Sequence, residues 1–230
     1  MKLLRDNARN RTADIPKAQV EASGEATLYL YDVIVSDDYW GGISAEKFVK
    51  ELNTLDAPTI HLRINSPGGE VFAARAIEAA IRNHPARIVA HVDGYAASFV
   101  AVACDEVEIA PGGFFMIHKA WTFTAGNADD LLHTAEMLEK LDASLVDTYA
   151  KKTGCTPEEI AGWMKAETWF SAGESVERGF ADRVAEAAPK AQADWNLSVY
   201  ANAPDVAASI NPQNRERYER TARLLAVTRH

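Results

Sequence analysis

A serine that could act as a nucleophile lies in the segment DGYAASFVAVA at residues 93–103. Ser98 stands between the end of a predicted strand and a wholly apolar helix, and the two alanines before it leave room for a substrate. A sharp strand-to-helix turn would expose its hydroxyl as in the nucleophile elbow, although the G-x-S-x-G pattern is missing. The Phe99 N–H would then be an oxyanion donor. Because serine at a helix N-terminus is most often a cap, this segment alone does not establish catalysis.

The candidate base for this serine is His118, which directly follows the short apolar strand FFMI at 114–117. It lies downstream of the serine by one strand-turn-strand unit, a placement that could bring both residues to the same edge of a sheet. A histidine in that position can take the serine proton during acyl transfer. The other histidines lie inside strands, before a proline, on a long helix or at the terminus: His61, His91, His84, His133 and His230.

The segment INSPGGEVF at 64–72 suggests a second oxyanion donor. Gly68 and Gly69 permit backbone angles that are closed to other residues, and they let N–H groups point into open space. Such a donor stabilises the charge that develops on a carbonyl oxygen in the transition state. An ordinary βα turn has the same composition, so the segment is informative only together with the serine and the histidine.

Alternating strands and helices must position these residues. Apolar runs with β-formers predict strands, and apolar residues at three- and four-residue spacing predict helices. This gives a strand from Ala26, a helix behind the N-cap Ser44, a strand at 59–65, a helix at 71–82 and a strand at 87–93. The alternation predicts a mainly parallel sheet with right-handed crossovers, and therefore an α/β fold of repeated βα units.

The second half of the chain begins with short elements and continues with a long helix. A buried helix is predicted at 98–105, short strands at 107–110 and 114–117, and a long helix from Asn127 to Lys152. Two capping boxes, at 156–159 and 171–174, then predict two further helices. We expect a flexible arm at residues 1–23, a domain at 24–186 and a C-terminal extension at 187–230 with a short basic helix.

Bulk composition limits the partners and the compartment. The formal charge of -9 argues against nucleic acid, whose binding depends on Lys and Arg. No apolar run approaches the roughly 18–20 residues of a membrane span, so we expect no membrane partner and a cytoplasmic protein. With only Cys104 and Cys155, we expect reduced thiols and no disulfide framework.

Taken together, the three segments resemble the ClpP serine peptidase family, from about residue 26 to 186. Five features of the family occur in this sequence in the same order. They are the S-P-G-G turn, the G-x-A-A-S nucleophile segment, the M-I-H base segment, the long handle helix and the closing S-A-x-E-x-V-x-x-G-x-x-D segment. In this sequence these features occupy, in the order given, Ser66–Gly69, Gly94–Ser98, Met116–His118, Asn127–Lys152 and Ser171–Asp182. The resemblance implies a ClpP/crotonase-type fold with a handle helix, a serine endopeptidase with a Ser-His-acid triad, and no cofactor or metal.

The resemblance also implies the third member of the triad. In ClpP the acid is an aspartate four residues ahead of the serine that caps the next helix. Counting back from Ser171 gives Glu167, whose carboxylate is one methylene longer. Asp182 is the alternative, but in the resemblance it aligns outside the triad. Glu167 could also be a solvated surface acid at a helix end.

Within that family, the sequence resembles in particular the ClpP-like peptidases of phages and prophages. It resembles them in the N-terminal segment, in the shortened stretch between serine and histidine, and in the motif E-T-W-F-S-A at 167–172. Those relatives are thought to act as head-maturation proteases. This implies a polypeptide substrate, a homo-oligomeric ring, capsid or scaffold proteins as partners, and a location in the host cytoplasm or the assembling head.

Four other interpretations stay open at the level of sequence. A housekeeping proteolytic chamber would work with a Clp-type ATPase. Crotonases share the glycine turn but need no serine-histidine pair, and signal peptide peptidase A pairs its serine with a lysine, for which Lys119 is the nearest match. A non-catalytic ring component would keep the fold without activity.

Overall fold

The computed structural model describes residues 18–39, 41–122, 124–186, 195, 197 and 199–204. The strands are β1 Gln19–Val20, β2 Ala26–Leu30, β3 Ile34–Val35, β4 Ile43–Ser44, β5 Thr59–Ile64, β6 Arg87–Val92, β7 Tyr95–Ala96, β8 Glu106–Ile109, β9 Phe114–Ile117, β10 Thr168–Ser171 and β11 Arg183–Val184. The helices are α1 Ala45–Leu52, α2 Val71–Asn83, α3 Ser98–Ala101, α4 Ala128–Thr153, α5 Pro157–Lys165 and α6 Ala172–Glu177.

The main sheet has the strand order β1-β2-β5-β6-β8-β11. All its pairs are parallel except β1 with β2. The predicted mainly parallel sheet of repeated βα units is therefore confirmed. Along β5 the residues Ile60, Leu62 and Ile64 are buried while the residues between them are half-buried, so one face of the sheet packs on helices.

A smaller sheet has the order β10-β9-β7 and explains how distant segments meet. Strand β9 is parallel to β7 and antiparallel to β10. Ala96 pairs with Phe115, and Thr168 pairs with Ile117. Because Ser98 follows β7, His118 follows β9 and Glu167 precedes β10, this register directs all three residues to one end of the small sheet.

Local capping sets the helix ends. Ser44 caps α1 by accepting from the Lys47 N–H, and Asn127 forms a capping box with Asp130 at the start of α4. Helix α4 ends at Gly154, which has a φ of 73°. The predicted helix at 98–105 is shorter than expected and ends at Ala101.

Helix α4 buries only its C-terminal part. Its buried residues are Leu145 and Tyr149, whereas Leu131 and Leu132 near its start are 46% and 63% exposed. The first turns of the helix therefore carry apolar side chains that the described residues do not cover. Among the described residues, no helix is long and apolar enough to cross a membrane.

The predicted terminal segments lie partly outside the described residues. Nothing is described before Ala18 or after Pro204, which leaves out most of the predicted arm and the whole predicted basic helix. Within the arm, β1 pairs with β2. Within the extension, Trp195, Leu197 and Tyr200 are buried against the domain.

These buried C-terminal residues belong to a second apolar cluster, separate from the main core. On the domain side the cluster is formed by Val33, Val35, Tyr95 and Met116, with Trp169 packed against it. Tyr95 and Met116 lie in β7 and β9. The cluster therefore forms on the small sheet, beside the predicted site residues.

Candidate active site

Ser98 is placed, as predicted, at a strand-to-helix turn. It is the first residue of α3, after Ala97, whose φ of -65° and ψ of 81° turn the chain out of β7. The turn needs a glycine at position 94, since a Cβ there would lie 2.8 Å from Asn65 Oδ1. The side chain of Ser98 is half-buried, while Phe99 and Val100 beyond it are buried in the core. The serine is thus held on a rigid turn.

An ion pair between the buried Asp93 and the half-buried Arg63 fixes the strand end before this turn. The Asp93 carboxylate accepts a hydrogen bond from Arg63 Nε at 2.9 Å and another from the Tyr31 hydroxyl. Burial raises the pKa of Tyr31, so the phenol stays a donor. Charge and hydrogen bonds together offset the desolvation of Asp93, which makes the pair tolerable in the interior.

The Ser98 hydroxyl is hydrogen-bonded to Tyr149, and the two oxygens lie 2.8 Å apart. Tyr149 comes from α4 and is 3% exposed, with its ring packed edge-on against Phe99. Burial raises the pKa of Tyr149 to about 12, so its hydroxyl is protonated near neutrality. Among the described residues, no hydrogen bond joins Ser98 to His118.

Sequence reasoning missed this partner. Tyr149 lies on the buried side of the long helix. The contact between its hydroxyl and Ser98 spans 51 residues, and local periodicity contains no signal for such a contact.

His118 follows β9 directly and is half-buried. Burial lowers the pKa of His118, and the nearby Glu167 carboxylate opposes that shift by favouring the protonated ring. The imidazole is therefore neutral near pH 7, the form that can accept a proton. Its ring packs against Tyr200, with centroids 5.4 Å apart.

Glu167 occupies a strained position between α5 and β10. Its φ of 50° is rare for a residue other than glycine, and such strain is tolerated where the surroundings hold it. Its carboxylate accepts hydrogen bonds from the N–H groups of Ala201 at 3.2 Å and Asn202 at 2.6 Å. Its influence on His118 is electrostatic.

A further carboxylate, which sequence reasoning also missed, lies near the histidine. Asp142 on α4 accepts from the Ala120 N–H at 2.8 Å and lies 3.3 Å from Lys119 Nζ. It also favours the protonated form of His118. Because Lys119 is paired with this carboxylate and Ser98 with a phenol, no contact between described residues favours a serine-lysine dyad.

Asp182, the alternative acid, has different contacts. Its Oδ2 accepts from the Val107 N–H at 2.7 Å and from Lys152 Nζ at 2.8 Å. These bonds tie β8 to the end of α4, so they are structural. Of the two candidate acids, only Glu167 raises the pKa of His118 through its charge.

The glycine turn lies against β3. Ile34 donates to the Gly68 carbonyl at 2.9 Å, and a Cβ at Gly69 would lie 2.0 Å from the Ile34 carbonyl oxygen. Only glycine fits at position 69. The Gly68 N–H donates to Ser66 Oγ at 3.2 Å, whereas the Gly69 N–H has no hydrogen-bond acceptor among the described residues.

Helix α3 leaves a second N–H without an acceptor in the described part of the chain. The N–H groups of Val100 and Ala101 both donate to the Ala97 carbonyl. The Phe99 N–H precedes them in the first turn, where no intrahelical acceptor exists. The N–H groups of Gly69 and Phe99 therefore both lack an acceptor among the described residues.

Neither metal ligation nor a disulfide is found within the described part of the chain. No three histidine, cysteine or acidic side chains there lie close enough together to hold a metal ion. Cys104 and Cys155 are free thiols, and burial raises the pKa of Cys104 to about 12. An inert, buried thiol is a packing residue.

The described fold is an α/β arrangement in which helices connect the strands of a mainly parallel sheet. The family model for Clp protease matches residues 27–188, and the chain belongs to this family of ClpP-type serine peptidases.

Three relatives illustrate the similarity. The chain is 35% identical over 159 residues to the ATP-dependent Clp protease proteolytic subunit 3 of Rhodococcus jostii, which covers 63% of this chain and 78% of that one. It is 28% identical over 187 residues to subunit 1 of Streptomyces avermitilis, covering 77% and 86%. It is 32% identical over 149 residues to the Deinococcus radiodurans subunit, covering 61% and 73%.

Proposed function

We propose that the chain is a serine endopeptidase in which Ser98 is the nucleophile, His118 the general base and Glu167 the orienting acid. The observation that carries the proposal is the register of the small sheet, which directs the three residues to one end. A neutral, half-buried histidine near a carboxylate is an environment that suits a general base.

The mechanism is acyl transfer. His118 removes the Ser98 proton, the oxygen attacks a peptide carbonyl, and the N–H groups of Gly69 and Phe99 stabilise the oxyanion. Histidine then protonates the leaving amine, and water releases the acyl group. The cycle requires the Ser98 hydroxyl to leave Tyr149 and turn towards the histidine, since catalytic hydrogen bonds often form only in the substrate complex.

Covalent labelling tests the nucleophile. A fluorophosphonate should modify Ser98, and peptide mapping should locate the adduct there. Ser98→Ala should abolish labelling and lower turnover by on the order of 10⁴–10⁶. Ser23→Ala, at an exposed turn, is the matched control and should label normally. An adduct elsewhere, or more than a tenth of normal activity in Ser98→Ala, would remove the assignment.

We propose that the active form is a homo-oligomeric ring joined through α4. The exposed Leu131 and Leu132 near the start of this helix support an interface between copies. The relatives are described as proteolytic subunits, which agrees with an assembly. Light scattering should give a mass of several subunits at micromolar concentration, whereas an active monomer would contradict the proposal.

Two biological settings remain as proposals for this peptidase. Maturation of phage head proteins is favoured by the resemblance to phage peptidases, with capsid or scaffold proteins as substrates. The relatives' description as ATP-dependent Clp protease subunits favours a chamber served by a Clp-type ATPase. Cleavage of a folded protein that needs both ATP and such an ATPase supports the chamber. ATP-independent cleavage of capsid or scaffold proteins supports maturation.

A further inference from the structure

Trp195, Leu197 and residues 199–203, the described residues of the C-terminal segment, lie on the candidate active site. Trp195, Leu197 and Tyr200 are 5%, 6% and 7% exposed, because they pack on the apolar surface of the small sheet. This surface lies beside the predicted base. A peptide substrate needs the same region, since its carbonyl must reach Ser98 and the Gly69 N–H together.

Tyr200 bridges the two sides of the site. Its hydroxyl donates to the Pro67 carbonyl at 2.6 Å, next to the glycine turn. Its ring packs edge-on against His118, with centroids 5.4 Å apart, and against Trp169 at 5.7 Å. A Cβ at Gly68 would meet only the Tyr200 hydroxyl, at 3.8 Å. The open side of the turn therefore faces this tyrosine.

Hydrogen bonds anchor the segment on either side of Tyr200. The Trp195 Nε1–H donates to Asn65 Oδ1 at 3.2 Å, close to the segment that leads into the nucleophile. On the other side, the Glu167 carboxylate accepts from the Ala201 and Asn202 N–H groups. The Asn202 side chain also donates to the Ala166 carbonyl at 2.8 Å. The proposed orienting acid is thus bound to the segment.

The fit of the segment is incomplete. Two buried donors at this surface, Asn65 Nδ2 and Trp169 Nε1, have no hydrogen-bond partner among the described residues. Unpaired buried donors cost free energy, and an extended peptide could supply carbonyl acceptors to them. A substrate can therefore compete with the segment for the surface.

We propose that the described C-terminal residues, Trp195, Leu197 and 199–203, are an intramolecular occupant of the peptide-binding cleft, which keeps substrate out until it is displaced. The inference rests on the proposed peptidase function and adds its regulation. It also assigns a specificity: the pocket that holds Tyr200 accepts an aromatic side chain of the substrate.

The test measures the rate at which a fluorophosphonate labels Ser98 in the full chain. Tyr200→Ala should raise this rate by at least about tenfold, as expected if the cleft is open for a tenth of the time or less. Tyr200→Phe removes only the bond to Pro67 and should raise the rate by about two- to tenfold. Tyr39→Ala, at an aromatic residue that is 79% exposed, is the control and should change nothing.

A second variant protects the test against misfolding. Asn202→Ala removes the bond to the Ala166 carbonyl and leaves the second apolar cluster intact, so it should also accelerate labelling. A synthetic peptide with the sequence of residues 195–204 should inhibit the Tyr200→Ala variant competitively. The same peptide with alanine in place of the tyrosine should be a poor inhibitor.

The outcomes separate this inference from the proposed function. In one outcome, Ser98 is labelled at the normal rate, and neither Tyr200→Ala nor Asn202→Ala, both folded, accelerates the labelling. This result keeps the proposed peptidase function and overturns the inference. Loss of labelling in both folded variants overturns it as well, because the segment would then be a required wall of the site. Absence of labelling in the wild type and in every variant overturns the peptidase function and the inference together.

Discussion

The two halves of the candidate site are held in different ways. On the nucleophile side, Ser98 is positioned by core packing, by the buried Asp93 ion pair and by a bond to Tyr149 of α4. On the base side, His118 depends on the pairing of β9 with β10, and Glu167 is bonded to the C-terminal segment. The interior fixes the nucleophile, whereas a short surface segment covers the base.

This difference shows where each half is sensitive. Buried packing resists change, so the nucleophile turn should respond mainly to substitutions that alter its shape. The base side should respond to charge, because two carboxylates act on His118.

Among the variants that compare the two halves, the largest loss of turnover is expected from a substitution on the base side. Glu167→Gln keeps a hydrogen-bonding side chain but removes the charge that stabilises the imidazolium, so turnover should fall by up to roughly 10⁴. Asp182→Asn should keep turnover within about tenfold, because this acid contacts Val107 and Lys152 on a partly exposed surface. Steady-state kinetics with a small peptide measure both. Normal turnover in Glu167→Gln, together with a large loss of turnover in Asp182→Asn, would assign the role of orienting acid to Asp182.

The next largest loss of turnover is expected from a substitution on the nucleophile side. Gly69→Ala places a methyl group against the Ile34 carbonyl, so the turn must move and its N–H must leave the oxyanion position. Loss of one such donor lowers kcat by about 10²–10³. Gly112→Ala is the matched control, since Gly112 also has a positive φ but has open space around it. Equal kcat in the two variants would exclude Gly69 as a donor.

A smaller effect should come from the link between the nucleophile and α4. Tyr149→Phe keeps the ring contact with Phe99 and frees the Ser98 hydroxyl for the histidine. Labelling of Ser98 should become about two- to tenfold faster, because the net free energy of one hydrogen bond corresponds to a factor of this size. Tyr29→Phe is the control outside the site. Slower labelling would mean that the tyrosine supports the reactive serine.

The smallest effect is a displacement of the pH profile. Burial lowers the pKa of His118 below 6.5, so the neutral base persists as pH falls and the acid limb of kcat/KM should lie below that pH. Glu167 and Asp142 both oppose this shift, while Tyr200 contributes an uncharged ring. Asp142→Asn should therefore move the limb to lower pH. Glu136→Gln, at an exposed position of the same helix, should leave it in place.

Much of the fold could be predicted because its signals are local. The strand over residues 114–117, the N-cap Ser44 and the capping box at 156–159 all occur as the sequence indicates. These features depend on neighbours within a few residues, and periodicity and capping preferences report on such neighbours. The length of α3 was misjudged, because an apolar run does not mark where a buried helix ends.

By itself the sequence determined the α/β alternation, the glycine turn and the positions of Ser98 and His118 at the ends of strands. Only the tertiary structure decided that Tyr149 binds the serine hydroxyl, that Asp142 lies near the histidine, and that Tyr200 covers it. These contacts join residues far apart in the chain and depend on the pairing of β7, β9 and β10. A local pattern records which face of an element is apolar. The packed fold alone selects the side chain that meets this face.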